Sequence, residues 1–326
     1  MKAVVVSRFG GPEVLAVEEQ AEPRPGPGEI TIAVRYAGVG FVDTLFRSGH
    51  FRFLAPPFTP GIEVAGDVLE IGEDVTGLEP GQGVAALLND FFRGGRAGGY
   101  AEVVAARADL VTPLPAEMDP ADAAALLANG VTAWIALTDV ARLAPSDTVV
   151  VLGVSGGVGG QAARIARASG AARVIGIVGS PERAELATVN GCDEVLVAGD
   201  GAGPDPLAPD VVFDPVGGDL RRRLIGRLAP FGRYVVVGNA SGDDIEVSTD
   251  GLWHASATVT GFSLGGIAHL RPGLVRDAMA AVLDRQAKGE LGELTHTVLD
   301  MAEAATAHRW LAERSGPGKV VLAVRP

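Results

Sequence analysis

Thr148-Val-Val-Val-Leu-Gly-Val-Ser-Gly-Gly-Val-Gly-Gly-Gln-Ala-Ala-Arg-Ile-Ala-Arg-Ala-Ser-Gly170 decides the fold. Thr148 to Leu152 are apolar and mostly β-branched, the pattern of a strand buried on both faces of a parallel sheet. Gly153, Gly156, Gly157 and Gly159 follow at once. Gln161 to Ala168 then place Ala162, Ile165, Ala166 and Ser169 at helical spacing, with Arg164 and Arg167 opposite, and Gly170 is placed to cap the helix. Strand, glycine turn and helix together form the layout that binds a dinucleotide. The glycines let the backbone turn tightly and approach a pyrophosphate, and the helix start receives its charge. The spacing is Gly-x-x-Gly-x-x-Gly rather than the commoner Gly-x-Gly-x-x-Gly, so the flanking strand and helix carry the argument. A bare strand–helix turn without a ligand is the alternative.

Working outward, strands and helices alternate after the turn. Arg173–Val178 reads as a strand, and Pro181–Asn190 as a helix entered from Ser180, with proline at a tolerated first position. Strands are expected at 210–214, 232–238 and 258–262, with a helix at 220–228. That alternation predicts a doubly wound parallel sheet, an α/β architecture. Before it, residues 1–120 hold short apolar runs at Lys2–Val6, 30–36, Glu63–Ile71, 82–87 and 100–105, broken by glycine and proline. This is an all-β pattern for a small barrel or sandwich. Helices are expected at 121–127 and 131–141, separated at Asn129-Gly130. Beyond residue 265 come helices at 275–288 and 302–314 and a closing strand at 319–324. The acidic, Gly/Pro-rich stretch 198–209 reads as a surface loop.

The 326 residues are about two domains' worth at ~100–200 each. The hydrophobic share of 47% is enough for full cores. A net charge of −13 argues against nucleic acid and anionic membranes as partners. An anionic cofactor must then be held by local positive groups, and the chain has only Lys2, Lys288 and Lys319 beside its arginines. The lone cysteine, Cys192, excludes an internal disulfide and reads as a small half-buried residue before a strand. The start, Met-Lys-Ala-Val-Val-Val, is too short an apolar run for a signal peptide and reads as a first strand. No apolar stretch reaches the ~18 residues that a membrane span needs. A soluble cytoplasmic protein is expected.

Several stretches together resemble a known family: Pro60-Gly-Ile-Glu-Val-Ala-Gly66, Gly98-Gly-Tyr-Ala-Glu102, Asn129-Gly-Val-Thr-Ala133, the glycine turn, Phe213-Asp-Pro-Val-Gly-Gly218, Gly232-Arg-Tyr-Val-Val-Val-Gly238 and Gly318-Lys-Val-Val-Leu322. Across almost the whole chain the sequence is similar to medium-chain dehydrogenase/reductases of the zinc-independent, zeta-crystallin-like quinone oxidoreductase branch. The resemblance implies a GroES-like β-rich substrate domain over residues 1–122, a Rossmann domain binding NADPH over 123–265, and a return to the first domain over 266–326. It also implies hydride transfer to a quinone or similar conjugated carbonyl.

Zinc-dependent relatives carry a Cys ligand near residue 40 and a Gly-His-Glu motif near residue 62. This chain has Gly40 or Phe41 in place of the Cys and Gly61 or Ile62 in place of the His. Asp43 and Glu63 remain, without the softer ligands that a catalytic zinc takes, so no metal is expected.

An NAD site wants an acid at the end of the second strand, about 20 residues past the glycines. Here the strand ends Val178-Gly179-Ser180, and the first acid, Glu182, lies inside the next helix. By resemblance, Gly179, Ser180 and Arg183 hold a 2′-phosphate, although Arg183 also reads as an ordinary exposed helix residue. The resemblance adds Arg314 and Lys319 as further phosphate contacts and Gly153, Gly156, Gly157, Val158 and Gly159 as the pyrophosphate turn. It lines the nicotinamide end with Thr132, Asn239, Phe262 and Leu264. Thr132 also reads as a plain helix residue and Asn239 as a turn residue.

Phenylalanines crowd residues 41–92. Phe46 and Phe58 are expected in the core, while Phe41, Phe51 and Phe91, with Phe262, are candidates for an apolar slot that takes a flat ring. Relatives often have Asn at the position of Gly40 and Tyr at that of Phe51, so the usual donors near a substrate carbonyl are missing. No His, Tyr or Lys is marked as a general acid. Alternatives on the same scaffold are an NADPH-dependent enoyl or acrylate reductase and a low-turnover NADPH-binding protein. A homodimer is expected through the uncharged, β-branched edge at 257–262, unless a loop covers that edge in a monomer.

Overall fold

The computed structural model describes residues 1–51, 53–88, 98–198, 207–316 and 318–325. It divides into two compact units, one of Met1–Ala128, Gly265–Lys288 and Glu293–Pro326, the other of Asn129–Leu264 and Gly289–Gly292.

The first unit is built on a seven-stranded sheet. Its order is His296–Asp300, Lys319–Ala323, Glu29–Val39, Glu63–Ile71, Gly83–Leu87, Val111–Pro113, with Val103–Arg107 pairing to Glu29–Val39. The pairings are antiparallel except for His296–Asp300 beside Lys319–Ala323. Alternating apolar residues such as Ile30, Ile32, Val34, Val64, Val84, Val104 and Leu322 point into one buried core. Glu29–Val39 carries two register shifts against its neighbour, the irregularity that lets a sheet curl. Lys2–Val6 pairs separately with Leu15–Glu19.

The second unit is a six-stranded, all-parallel sheet in the order Glu194–Val197, Arg173–Val178, Thr148–Leu152, Val211–Asp214, Arg233–Val236, Thr258–Gly261. The strand that opens the chain's reading is central. Val150 faces Ile175 on one side and Val212 on the other, and Val149 to Leu152 are fully buried. Strand order reverses on either side of this strand. An open α/β sheet binds its ligand at such a switch point, beyond the carboxyl ends of the strands.

The expected break at Asn129-Gly130 is absent. One helix runs Pro120–Ile135 and continues through a wider final turn, Ala136–Val140. Gly130 itself and most of its neighbours on the helix are buried, and packing outweighs the helix cost of one glycine, about 1 kcal/mol. By length and averaged composition this helix, Pro120–Val140, passes for a membrane span, more than the sequence reading allowed. However, 67% of its most apolar window lies inside the protein, as in a core helix. The expected helix at 181–190 is shorter: a 3-10 turn, Pro181–Arg183, then Ala184–Val189.

Candidate functional site

The glycine turn is built as its residues dictate. Gly153 adopts φ +61°, a left-handed conformation that favours glycine. The Gly156 N–H donates to the Gly153 carbonyl at 2.9 Å and closes the turn. Gly156 then caps the helix Gly157–Ala168 without any side-chain bond, and its first turn holds no acid. The first N–H groups of that helix have no intrahelical partner, so the positive helix end faces outward. Gly159 is required by contact: a Cβ there would lie 2.4 Å from the Gly153 oxygen and 3.0 Å from that of Leu152. Gly156 and Gly157 are exposed, Val158 is half-buried and Gly159 is buried. Asn129 was not anticipated. Its amide lies where a Cβ on Gly157 would meet it, at 2.5 Å, so it bounds the turn from one side. These features fit a pyrophosphate: a cradle that a Cβ would fill, beneath a helix start with no side-chain cap.

Next along the sheet, Arg173–Val178 ends in Gly179, exposed, with nothing within 4 Å of where a Cβ would stand. No acid stands at this strand end. Ser180 begins the 3-10 turn without capping it through its side chain, and the Arg183 N–H donates to the Ser180 carbonyl at 3.2 Å. The Ser180 side chain two residues earlier holds the Glu182 carboxyl below the usual carboxylate range. Arg183 is half-buried.

On the other side of the switch point, the strands Arg233–Val236 and Thr258–Gly261 end around a cleft of about 580 Å³. Arg221, Val236 to Asn239, Asp244 and Gly261 to Ser263 line it, so the expected Asn239 and Phe262 share one wall. Asn239 is exposed and Phe262 half-buried, while Leu264 opens the short helix Leu264–Ile267. Thr132 is half-buried on the long helix.

A buried polar knot that the sequence did not announce supports this cleft. Asp214 Oδ1 accepts from the N–H groups of Val216 and Gly217 at 2.7 and 2.9 Å. Its Oδ2 accepts from the Tyr234 hydroxyl at 2.9 Å and from Arg221 Nε at 2.5 Å. Arg221 Nη2 donates onward to the Gly238 carbonyl at 2.8 Å. Asp214 and Tyr234 are fully buried. Burial first, then the Asp214 charge, keeps the Tyr234 phenol protonated, its pKa pushed well above the ordinary value. Every oxygen of Asp214 is engaged, the condition under which a buried charge is tolerated.

In the first unit, Asp43 and Glu63 are both engaged internally. Lys319 Nζ ion-pairs with Glu63 Oε1 at 2.5 Å, and the Ala128 N–H donates to Glu63 Oε2 at 2.6 Å. The Lys319 side chain is 10% exposed. Lys319, expected as a phosphate contact, is paired here with a buried carboxylate. Asp43 accepts from the Gly40 N–H at 2.8 Å, the Gly61 N–H at 3.1 Å and the Tyr100 hydroxyl at 3.3 Å. Burial pushes its carboxyl up to about 7, opposed by the Gly40 bond and reinforced by Glu63. Tyr100 also meets His308 Nε2 at 3.3 Å, and burial drives His308 down to about 3, so its ring is neutral. Among the described residues no three His, Cys, Asp or Glu side chains are placed to hold a metal.

Arg314 lies exposed at the left-handed end of the helix Ala304–Glu313. Phe41 is exposed at the start of Phe41–Ser48. Phe51 is half-buried, stacked on Phe53 at 5.2 Å and tilted against Phe46 at 5.2 Å. Phe46 and Phe58 are core residues, as expected. Phe91 lies outside the described residues.

Residues 26–116 match the Alcohol dehydrogenase GroES-like domain, and residues 157–284 match the Zinc-binding dehydrogenase domain. The chain is 32% identical to the quinone oxidoreductase of Pseudomonas aeruginosa, over 98% of this chain and 99% of that one. It is equally 32% identical to the quinone oxidoreductase of Lama guanicoe, over 100% and 98%. Among solved structures, mycobacterial Rv1454c complexed with NADPH matches with a TM-score of 0.89 and 31% identity, covering 99% of this chain and 100% of that one. With its β-rich unit, its switch-point glycine turn and this full-length similarity, the chain belongs to the medium-chain dehydrogenase/reductase family, in its quinone oxidoreductase branch.

Proposed function

We propose that the chain is an NADPH-dependent oxidoreductase that passes hydride to a quinone or similar conjugated carbonyl without a metal. The observation that carries the cofactor assignment is the end of the second strand, open at Gly179-Ser180 with Arg183 beside it and no acid in the ribose position. The relative solved with NADPH supports the same choice. Gly153, Gly156, Gly157, Val158 and Gly159 receive the pyrophosphate; Gly179, Ser180 and Arg183 receive the 2′-phosphate; Thr132, Asn239, Phe262 and Leu264 bound the nicotinamide end. Arg314 is a further phosphate contact in this reading.

When bound, NADPH supplies the hydride. The chain's own part is to hold two flat rings in register and exclude water. Phe41 and Phe51 in the first unit and Phe262 in the second remain the candidates for contact with the substrate ring, and Phe91, also a candidate, lies outside the described residues. Tyr100 and His308 are buried within the first unit, and no side chain is assigned as proton donor. A metal-free route is supported by the donors that Asp43 and Glu63 already accept, N–H groups, a hydroxyl and an ammonium.

Residues 1–122 and 266–326 form the substrate-side domain in this reading, and 123–265 the cofactor domain. The protein acts in the cytoplasm as a homodimer. The edge Thr258–Gly261 ends its sheet, and the nearby Trp253 and Phe231 are 73% and 79% exposed, an apolar surface suited to a second copy.

Steady-state NADPH oxidation against a panel of quinones, enones and acrylyl thioesters tests the substrate class. Turnover confined to the thioesters would favour an enoyl reductase. Tight NADPH binding without turnover on any of them would favour a binding protein.

A further inference from the structure

We propose that the core of the first unit binds a small inorganic anion of the chloride class, held between the guanidinium of Arg47 and the imidazole of His308. This site is independent of the cofactor and substrate assignments.

Both side chains are deeply buried, Arg47 at 5% exposure and His308 at 0%. Arg47 lies on the buried face of the helix Phe41–Ser48, and His308 on that of Ala304–Glu313. These two helices pack on each other, and the turn Pro12–Val14 packs on the second. A chain of polar contacts links the residues. Asp43, one turn before Arg47 on the same face, meets the Tyr100 hydroxyl at 3.3 Å, and that hydroxyl meets His308 Nε2 at 3.3 Å. Among the described residues, Arg47 Nε and Nη1 and His308 Nδ1 have no hydrogen-bond partner. Buried polar atoms are ordinarily satisfied, so three orphans in one neighbourhood call for an occupant.

The charge decides which kind. A guanidinium stays protonated and only donates. Buried without a counter-charge, it is strongly destabilising. The carboxylates around it are engaged elsewhere. Asp43 accepts from the Gly40 and Gly61 N–H groups, and Glu13, on the adjoining turn, accepts from the Gly11 N–H at 3.0 Å. Water would take up the donors and leave the charge, whereas an anion answers both. The closed surroundings suit a single-atom ion rather than a phosphate.

The anion is also linked to a proton. With Asp43 ionised, Tyr100 donates to it, His308 Nε2–H donates to Tyr100, and Nδ1 is left a bare acceptor that repels an anion. With Asp43 protonated, the chain reverses: Asp43 donates to Tyr100, Tyr100 donates to Nε2, and Nδ1–H joins the Arg47 donors. Burial pushes the Asp43 carboxyl up to about 7, with Glu63 raising it further and Lys319 opposing, so the switch falls near neutrality.

Urea unfolding of the full chain, as chloride replaces gluconate at constant ionic strength, tests the site. An ion bound only by the folded state multiplies the folding constant by 1 + [chloride]/Kd, about 100-fold at a hundred times Kd. The same gain should need about tenfold less chloride at about pH 6 than at about pH 8, on either side of the Asp43 value. Arg47→Met should lose the chloride response and, in gluconate, be at least as stable as wild type, since it buries no charge. Wild-type crystals grown in bromide should show an anomalous peak within hydrogen-bond reach of Arg47 Nε and His308 Nδ1, a readout that stands even if the variant fails to fold. A water at that position in bromide, or a chloride response that survives in Arg47→Met, would overturn the proposal. A response equal at both pH values would remove His308 as a donor to the ion and overturn the site as stated.

Discussion

Replacing Gly159 by alanine tests the cofactor turn at its tightest point. The added methyl carbon would stand 2.4 Å from the Gly153 oxygen, about an ångström inside ordinary contact, and both neighbours are backbone. Neither can rotate away, so the helix Gly157–Ala168 must shift from the strand that precedes it. Such overpacking costs about 1–3 kcal/mol of stability. The functional loss comes from the same shift, which moves the first-turn N–H groups away from the pyrophosphate. Losing one charge-assisted hydrogen bond, about 1.5–3 kcal/mol, raises the dissociation constant about 10- to 150-fold.

Neighbouring glycines give a built-in scale. At Gly157 the obstacle is the end of the Asn129 side chain, which can move, and at Gly156 the nearest atom is 3.2 Å away. Loss of affinity should therefore fall in the order Gly159, Gly157, Gly156. Because the pyrophosphate is common to both cofactors, NADPH and NADH should weaken together. Fluorescence titration gives the constants, and urea unfolding shows which variants remain folded. A folded Gly159→Ala that binds both cofactors within twofold of wild type would refute the reasoning.

Arg183→Ala should weaken NADPH by about 1.5–3 kcal/mol and leave NADH nearly unchanged, as read by the same titration; parallel losses would place Arg183 outside the phosphate site. Asp43, pushed up from 3.8 to about 7, binds a proton in the folded protein that the unfolded chain releases at lower pH. Its contribution is thus complete below about pH 4 and is lost as pH rises through about 7. Urea midpoints across this window should decline less steeply in Asp43→Asn, and an unchanged slope would remove Asp43 as the source. Val259→Lys puts a charge on the sheet edge and should release monomers, and light scattering on the wild type must give a mass above the 33.3 kDa of one chain for the edge to be an interface at all.

The central part of the fold was legible because it is periodic and punctuated. Thr148–Leu152, the glycine turn and Arg173–Val178 announce themselves through runs of one residue class ended by glycine. Leu15–Glu19 and His296–Asp300 were missed because short, charged strands take their structure from their partners, not from a pattern of their own. The helix Phe41–Ser48 left a signal that went unread: Gly40 followed three residues later by Asp43, whose carboxylate accepts from the Gly40 N–H. The pairing of Glu63 with Lys319 had no readable signal, since the two lie 256 residues apart and neither carries a spacing that names the other. The Asp214–Arg221–Tyr234 knot was half-visible, in that Phe213-Asp-Pro-Val-Gly-Gly218 stood out as a stretch without revealing what its aspartate binds.

That knot has a consequence for how the protein can change over generations. It fixes the backbone floor of the cleft from beneath, through a fully buried carboxylate that four donors saturate. The rim side chains of Asn239 and Phe262 are not among those four donors. Lineages can therefore exchange rim residues, and with them the shape of the molecule that is accepted, while the scaffold stays put. Innovation is licensed at the rim and forbidden one layer below it.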